Sequence, residues 1–417
     1  MANEIEMSKT THIYVYIALF LTIVIDALGV GIVYPVFASI FNTSGTGILP
    51  LGISLYMADI LYGVTLAAFP LAMFVGSPLI GDLSDNVGRK KVLLMCLFGE
   101  CFGMLLCALS IKLNLVSLLV VSRLFTGFVA GSMGIAQAAI IDISPEHRKT
   151  VNLSLISLAG ALGFSFGPVA GGYFASSELL SGLGYHGPFL FAALLAFLNG
   201  LLLLAVFKET YTGGIKSKIS LSRSFLMFTN GFRNRKLRYI AIVLLLTQLS
   251  WCFYFQTSSL NMVQTFQYSI SQLGHFISSI ALMYSIALLV IVRILVKYFK
   301  MNVILFWGCV IFCIGLVIAS MNIEFAEWIA IIPVPIGLGL TYMTLLTLFS
   351  DAVDKDSQGK VMGIAASVTA AGWALGSIAA GVFAAISFVM AFLFAGVLIF
   401  ICLFIVRIKI YPKKIIK

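Results

Sequence analysis

The sequence predicts an all-α polytopic membrane protein, with twelve transmembrane helices in two six-helix halves related by an internal repeat. Three observations carry that prediction: the composition, the number and length of the apolar runs, and matched residues half a chain apart. Of the 417 residues, 61% are apolar and 10% charged, and the mean hydropathy is +1.08. Soluble domains run nearer ~45–50% apolar and ~25% charged. A soluble fold has too little interior to hide this much apolar surface, whereas lipid solvates it. Disorder needs the opposite composition, charge-rich and apolar-poor.

Apolar runs of about 20 residues, long enough to cross a ~30 Å hydrocarbon core as helix, fall at 13–37, 59–80, 92–111, 116–141, 151–175, 188–207, 239–261, 275–296, 302–321, 328–350, 361–385 and 387–406. Alternate loops then lie on opposite sides of the membrane. One side receives Lys9, Arg89, Lys90, Lys91, Arg148, Lys149, eight basic residues between 208 and 238, Lys297, Lys300, Lys355, Lys360 and five more from Arg407 onward. The other receives Lys112 alone. The positive-inside rule makes the basic side cytoplasmic and puts both termini on it, as in a multi-pass protein of a bacterial inner membrane. The net charge of +10 therefore reports topology and contact with anionic lipid headgroups, not nucleic acid. Cys96, Cys101, Cys107, Cys252, Cys309, Cys313 and Cys402 all fall inside spans and read as small buried apolar residues. The first apolar segment is too long for a cleaved signal and lacks an A-x-A end. Asn42-Thr43-Ser44 is a sequon on the outer side.

A shift of 209 residues brings Gly99 onto Gly308, Asp142 onto Asp351, Gly163 onto Gly372, Gly167 onto Gly376, Gly172 onto Gly381 and Phe174 onto Phe383. Glycine is common in membrane helices, but a loop aspartate and several glycines at one offset indicate two halves of the same orientation. Residues 1–207 form the first half, 208–238 a basic linker, and 239–417 the second half with a basic tail. In the linker Leu221, Phe225, Phe228 and Phe232 recur at helical spacing among Lys218, Arg223 and Arg233, which predicts an amphipathic helix lying on the cytoplasmic surface.

The loop after the second span reads Gly81-Asp82-Leu83-Ser84-Asp85-Asn86-Val87-Gly88-Arg89-Lys90-Lys91. A turn anchored by basic residues explains the trio but not two glycines framing an aspartate at fixed spacing. The string resembles the loop motif of the major facilitator superfamily, with Asn86 in place of the usual basic residue. Asp26 to Pro35 resembles the first span of tetracycline-exporter-like drug/proton antiporters. Arg123-Leu124-Phe125-Thr126-Gly127 resembles a fourth-span motif of the family, with Thr126 departing from its usual Gln. Gly163-Phe164-Ser165-Phe166-Gly167-Pro168-Val169-Ala170-Gly171-Gly172 resembles the fifth-span motif associated with exporters more than importers. The resemblance covers both halves, but its motifs are concentrated in residues 26–172. It implies that Asp85 faces a helix N-terminus of the other half, where the dipole favours a carboxylate. It also implies that Arg89 pairs with Asp142, and that the two contacts form a latch closing the cytoplasmic side.

Charge inside a bilayer costs at least ~2.5–3.5 kcal/mol per group. Asp26, about halfway through its span, is therefore read as functional, with Arg123 either its partner or a brace for neighbouring carbonyls. Asp26 and Arg123 are read as the proton-coupling residues, with Glu100 the next candidate; Glu100 either snorkels or lines a cytoplasmic cavity, and Asp59, at the start of its span, is expected to be wet. Gln248, Trp251, Tyr254, Gln256, Tyr284, Tyr342 and Trp373 singly suit packing or anchoring. As a set they outline an apolar, aromatic cavity for a bulky amphiphile. Tyr284 stands where tetracycline exporters usually carry His, which points away from tetracycline itself. His12, His147, His186 and His275 have no metal-site or catalytic spacing, and no nucleotide-binding loop occurs.

The expectation is thus a monomeric, non-enzymatic, proton-coupled exporter of a small amphiphilic compound. It would use no cofactor or metal and take its energy from the proton gradient. Two other readings stay open: the same fold importing a siderophore or metabolite, and a non-transporting membrane scaffold or enzyme.

Overall fold

The computed structural model describes residues 9–42, 48–50, 52–145, 148–176, 182–209, 222–353 and 358–410. Among them twelve helical segments are long and apolar enough to cross a membrane, and no strand occurs. In chain order spans 1 to 6 are Ile13–Ile40, Leu55–Val87, Arg89–Lys112, Val116–Ile143, Leu155–Ser176 and Gly184–Val206. Spans 7 to 12 are Arg238–Gln264, Ile270–Tyr298, Met301–Ala319, Glu324–Asp351, Val361–Ile386 and Phe388–Ile410. Thr43 and Ser44 of the sequon, His147, Lys218, Leu221 and Lys355 lie outside the described residues. The face carrying the Arg89 loop and the start of span 7 is called the basic face below, and the opposite one the far face.

Both halves pack by one scheme. Span 1 lies against spans 5 and 6, span 2 against span 4, and span 3 against spans 4 and 6. Span 7 lies likewise against 11 and 12, span 8 against 10, and span 9 against 10 and 12. Between the halves the principal seams are span 2 with span 11 and span 5 with span 8, a crossing that a pseudo-two-fold axis along the bundle requires.

The repeated glycines explain why the scheme is shared. A Cβ on Gly163 would collide with the Val24 carbonyl, and one on Gly167 would lie 2.7 Å from the Leu28 carbonyl oxygen, both on span 1. Their repeat mates Gly372 and Gly376 press on Gln248 and Cys252 of span 7, at 2.8 and 2.7 Å. Gly172 touches span 8 at Ile270 and Ser271, while its mate Gly381 touches span 2 at Asp59 and Gly63. Small residues thus let backbones meet both within each half and across the seams.

Several elements depart from the sequence expectation. Span 4 is broken: one helix ends at Val129 and the next begins at Ser132. Gly127 and Gly131 are pressed there against Phe69 and Ile80 of span 2. Span 10 begins at Glu324, four residues ahead of the expected start, so Glu324 and Glu327 are helical. Span 8 starts at Ile270, behind a Ser269–Gln272 capping box, and carries a π-turn at Ala287–Ile291. The amphipathic helix is present as Ser222–Arg233. Its apolar face docks on the bundle: the Phe225 and Phe228 rings lie 5.7 and 6.1 Å from Phe74 of span 2, and Gly231 abuts Ile364 of span 11.

Candidate functional site

Spans 1, 2, 3, 4, 5, 7, 8, 10 and 11 converge on a cavity of about 400 Å³ between the halves. Its chemistry is divided. The first half contributes Asp26, Glu100 and Arg123, and the second contributes Gln248, Trp251, Tyr284, Tyr342 and Trp373.

Asp26 Oδ2 accepts a hydrogen bond from Ser132 Oγ at 2.7 Å. The break in span 4 makes this contact, since Ser132 opens the second helical segment. The carboxyl groups of Asp26 and Glu100 are neighbours in the cavity wall. Asp26 Oδ1 and Glu100 Oε2 are buried without a hydrogen-bond partner. Gly29 leaves the room needed, because a Cβ there would sit 3.0 Å from Glu100 Oε1. Glu100 therefore lines the central cavity between the halves.

Arg123 is 3% exposed. Its guanidinium lies over the Phe69 ring at 4.5 Å and beside Phe37 at 5.9 Å, within cation–π range. Nε and Nη1 are buried without a hydrogen-bond partner. Among the described residues the ion pairs are Arg89–Asp85 and Arg89–Asp142, so Arg123 is not paired with Asp26 in this conformation.

On the opposite wall the Trp251 and Tyr284 rings stack at 6.0 Å and 24°, and Trp373 Nε1 donates to Gln248 Oε1 at 2.8 Å. Two expected lining residues belong elsewhere. Tyr254 is 0% exposed and packs on Phe392 of span 12. Gln256 donates through Nε2 to Ser377 of span 11 at 2.5 Å. Asp59 is also corrected: it is 3% exposed rather than wet, and its Oδ1 accepts from Gln264 Nε2 of the other half at 2.7 Å.

The expected loop at 81–91 is helical except at Gly88, which alone separates spans 2 and 3; Arg89, opening span 3, makes the Nε to Asp142 Oδ2 contact that the motif implies. Asp85 is half exposed, its carboxylate 3.8 Å from Arg89, and the stretch just ahead of span 11 lies outside the described residues. Gly81 has open space around it, whereas Gly88 sits at φ +112°, where an L side chain is strained, and abuts Glu209. Glu209 was not legible in the sequence: its carboxylate accepts the Arg89 and Lys90 amides at 2.8 and 3.2 Å and so caps span 3. In span 5, Gly163, Gly167 and Gly171 face span 1, while the Pro168 carbonyl meets Gly274 and Gly172 meets Ser271 on span 8. The fifth-span motif is thus wedged between span 1 of its own half and span 8 of the other.

Twelve helices in two repeated halves around a central cavity define a polytopic carrier architecture. The chain belongs to the Major Facilitator Superfamily, whose sequence model matches residues 19–376 and 240–415. It is 30% identical over 194 residues to the class H tetracycline resistance protein of Pasteurella multocida, covering 46% of this chain and 44% of that protein. With the class D protein of Salmonella ordonez the identity is 25% over 362 residues, 85% of each chain. With the quinolone resistance protein NorA of Staphylococcus aureus it is 31% over 207 residues, 48% of this chain and 47% of that one. The chain thus aligns over less than half of the length of several of its curated relatives. Among solved structures, the human organic anion transporter MFSD10 (TETRAN) matches with a TM-score of 0.70 at 20% identity, covering 94% of this chain and 99% of that one. A D-xylose-proton symporter matches with a TM-score of 0.74 at 15% identity, covering 97% and 98%. These two likenesses concern the fold alone. The protein is an integral multi-pass membrane protein of this superfamily.

Proposed function

We propose that the protein is a proton-coupled exporter of small amphiphilic compounds, with both termini and the basic face in the cytoplasm. The observation that carries this reading is the buried Asp26–Glu100 carboxyl pair, facing an aromatic wall across one cavity. Two bare carboxylates at such range repel, and one proton held between them turns the repulsion into a hydrogen bond. Arg123, buried beside them, balances the remaining charge. An amphiphile whose flat apolar part stacks on Trp251 and Tyr284, and whose polar or cationic end reaches the pair, would compete with that proton. Competition at one site, exposed to each side in turn, is sufficient for antiport. The resistance proteins among the relatives favour export, as does the fifth-span motif.

The deciding experiment uses vesicles of both orientations carrying the protein, an imposed pH gradient, and a panel of fluorescent amphiphiles. Accumulation in everted vesicles acidified inside, abolished by collapsing the gradient, is expected. Accumulation only in right-side-out vesicles would make the protein an importer. Indifference to the gradient would remove proton coupling.

A further inference from the structure

Another buried carboxyl lies outside the cavity. Glu327, in the first turn of span 10, is 0% exposed. Its Oε2 accepts from Ser258 Oγ at 3.0 Å and its Oε1 from Asn261 Nδ2 at 3.1 Å, both on span 7. Asn261 Nδ2 also donates to Asn322 Oδ1 at 2.8 Å. Tyr254, Ser258 and Asn261 are spaced i, i+4, i+7 and share one face of span 7. That face contains two more buried polar atoms with no partner, the Tyr254 hydroxyl and Asn261 Oδ1. The titratable groups nearby are Tyr254 on span 7 and Glu324, one turn earlier on span 10. Among the described residues no basic side chain pairs with Glu327.

A lone carboxylate in an apolar interior costs far more than two hydrogen bonds return, and the economical remedy is to take up a proton. Once protonated, Glu327 needs an acceptor, and the unpartnered atoms of Asn261 and Tyr254 supply acceptors in the same cluster. We propose that Glu327, cradled by Ser258 and Asn261, is a second proton-binding site, built into the second half and separate from the Asp26–Glu100 pair. Its position suits loading from the far face. Glu324, one turn away, is exposed there and accepts from Tyr268, whose hydroxyl in turn accepts from Trp328 Nε1. It also suits coupling to closure of that face, because Asn261 lies one turn before Gln264, which bonds Asp59 across the halves. As a transport role, though not as a binding site, the proposal rests on the proton-coupled reading above.

Infrared difference spectroscopy of the full chain in lipid, titrated between acid and alkaline buffer, tests it without any substrate. The wild type should show a protonated-carboxyl band that titrates and is lost in Glu327→Gln, while the band of the Asp26–Glu100 pair is retained. Ser258→Ala, which removes one hydrogen bond and keeps the carboxyl, should shift the Glu327 band; it provides the measurement if Glu327→Gln does not fold. Absence of any Glu327-dependent band, or a band that never titrates, overturns the proposal. In weak buffer, Glu327→Gln should also halve the protons released per substrate bound, and an unchanged ratio would overturn the transport role. If the wild type releases none, the proton-coupled reading fails, while the infrared titration still decides whether Glu327 binds a proton.

Discussion

At the scale of single residues the cavity turns on three charged side chains and one hydroxyl. If Asp26 and Glu100 share one proton, as proposed, their substitutions should not add. Asp26→Asn and Glu100→Gln are each expected to remove the pair's share of substrate-induced proton release and to abolish uphill transport while leaving downhill exchange. The double variant should be no worse than either. The pH change on adding substrate to purified protein in weak buffer measures this, and full release from Asp26→Asn would place the coupling proton elsewhere. Asp26 and Arg123 were legible because charge in an apolar run is costly and therefore conspicuous. Ser132 was not, since a serine in such a run is unremarkable until the break in span 4 aims it at Asp26. Tyr254 and Gln256 were misplaced because span 7, 78% buried over its most apolar stretch, is enclosed on nearly all sides. Its sequence therefore gives no phase to say which aromatic residues face the cavity and which face spans 11 and 12.

At the scale of elements, close backbone approach sets the geometry. Gly167 and Gly171 lie 2.7 and 2.9 Å, by their absent Cβ atoms, from carbonyl oxygens of span 1, whereas Gly134 has nothing within 4 Å. Gly167→Leu and Gly171→Leu should therefore force spans 1 and 5 apart, at about 1–3 kcal/mol each, with large losses of transport. Gly134→Leu should be tolerated. Transport normalised to protein in the membrane distinguishes them, and equal effects at all three positions would remove the packing explanation. The cap on span 3 gives a smaller effect: Glu209→Ala should cost about 0.5–2 kcal/mol, read as a lower unfolding temperature in detergent. The existence of each span could be read from the sequence, because twenty apolar residues leave the backbone no alternative in lipid. The start of span 10 could not, because Glu324 and Glu327 resemble loop residues until Ser258 and Asn261 are seen to receive one of them.

At the scale of the whole molecule, the repeat read in the sequence is also the mechanical plan, with matched glycines pressing on matched spans in each half. The conformation is closed on the far face, where Gly63 meets Ser377 and Gly381, Gly172 meets Ser271, and Asp59 accepts from Gln264. The Asp59–Gln264 bond joins the two halves through side chains, so it should weigh directly on the balance between far-closed and far-open states. Gln264→Leu leaves the buried Asp59 carboxyl without that donor only while the far face is closed, since opening hydrates it. Losing such a hydrogen bond to a charged group is worth about 1.5–3 kcal/mol, and a coupling of that size moves a two-state equilibrium roughly 10- to 150-fold. Gln264→Leu should therefore shift the population toward the far-open state. Asp59→Asn, whose amide can still accept from Gln264, should shift it less. Spin labels at the far-face ends of spans 5 and 8 report the separation of the halves away from the altered pair. A longer distance in Gln264→Leu than in the wild type, with Asp59→Asn between them, is the expected order. Identical distance distributions would mean that the glycine seams alone hold the far face shut.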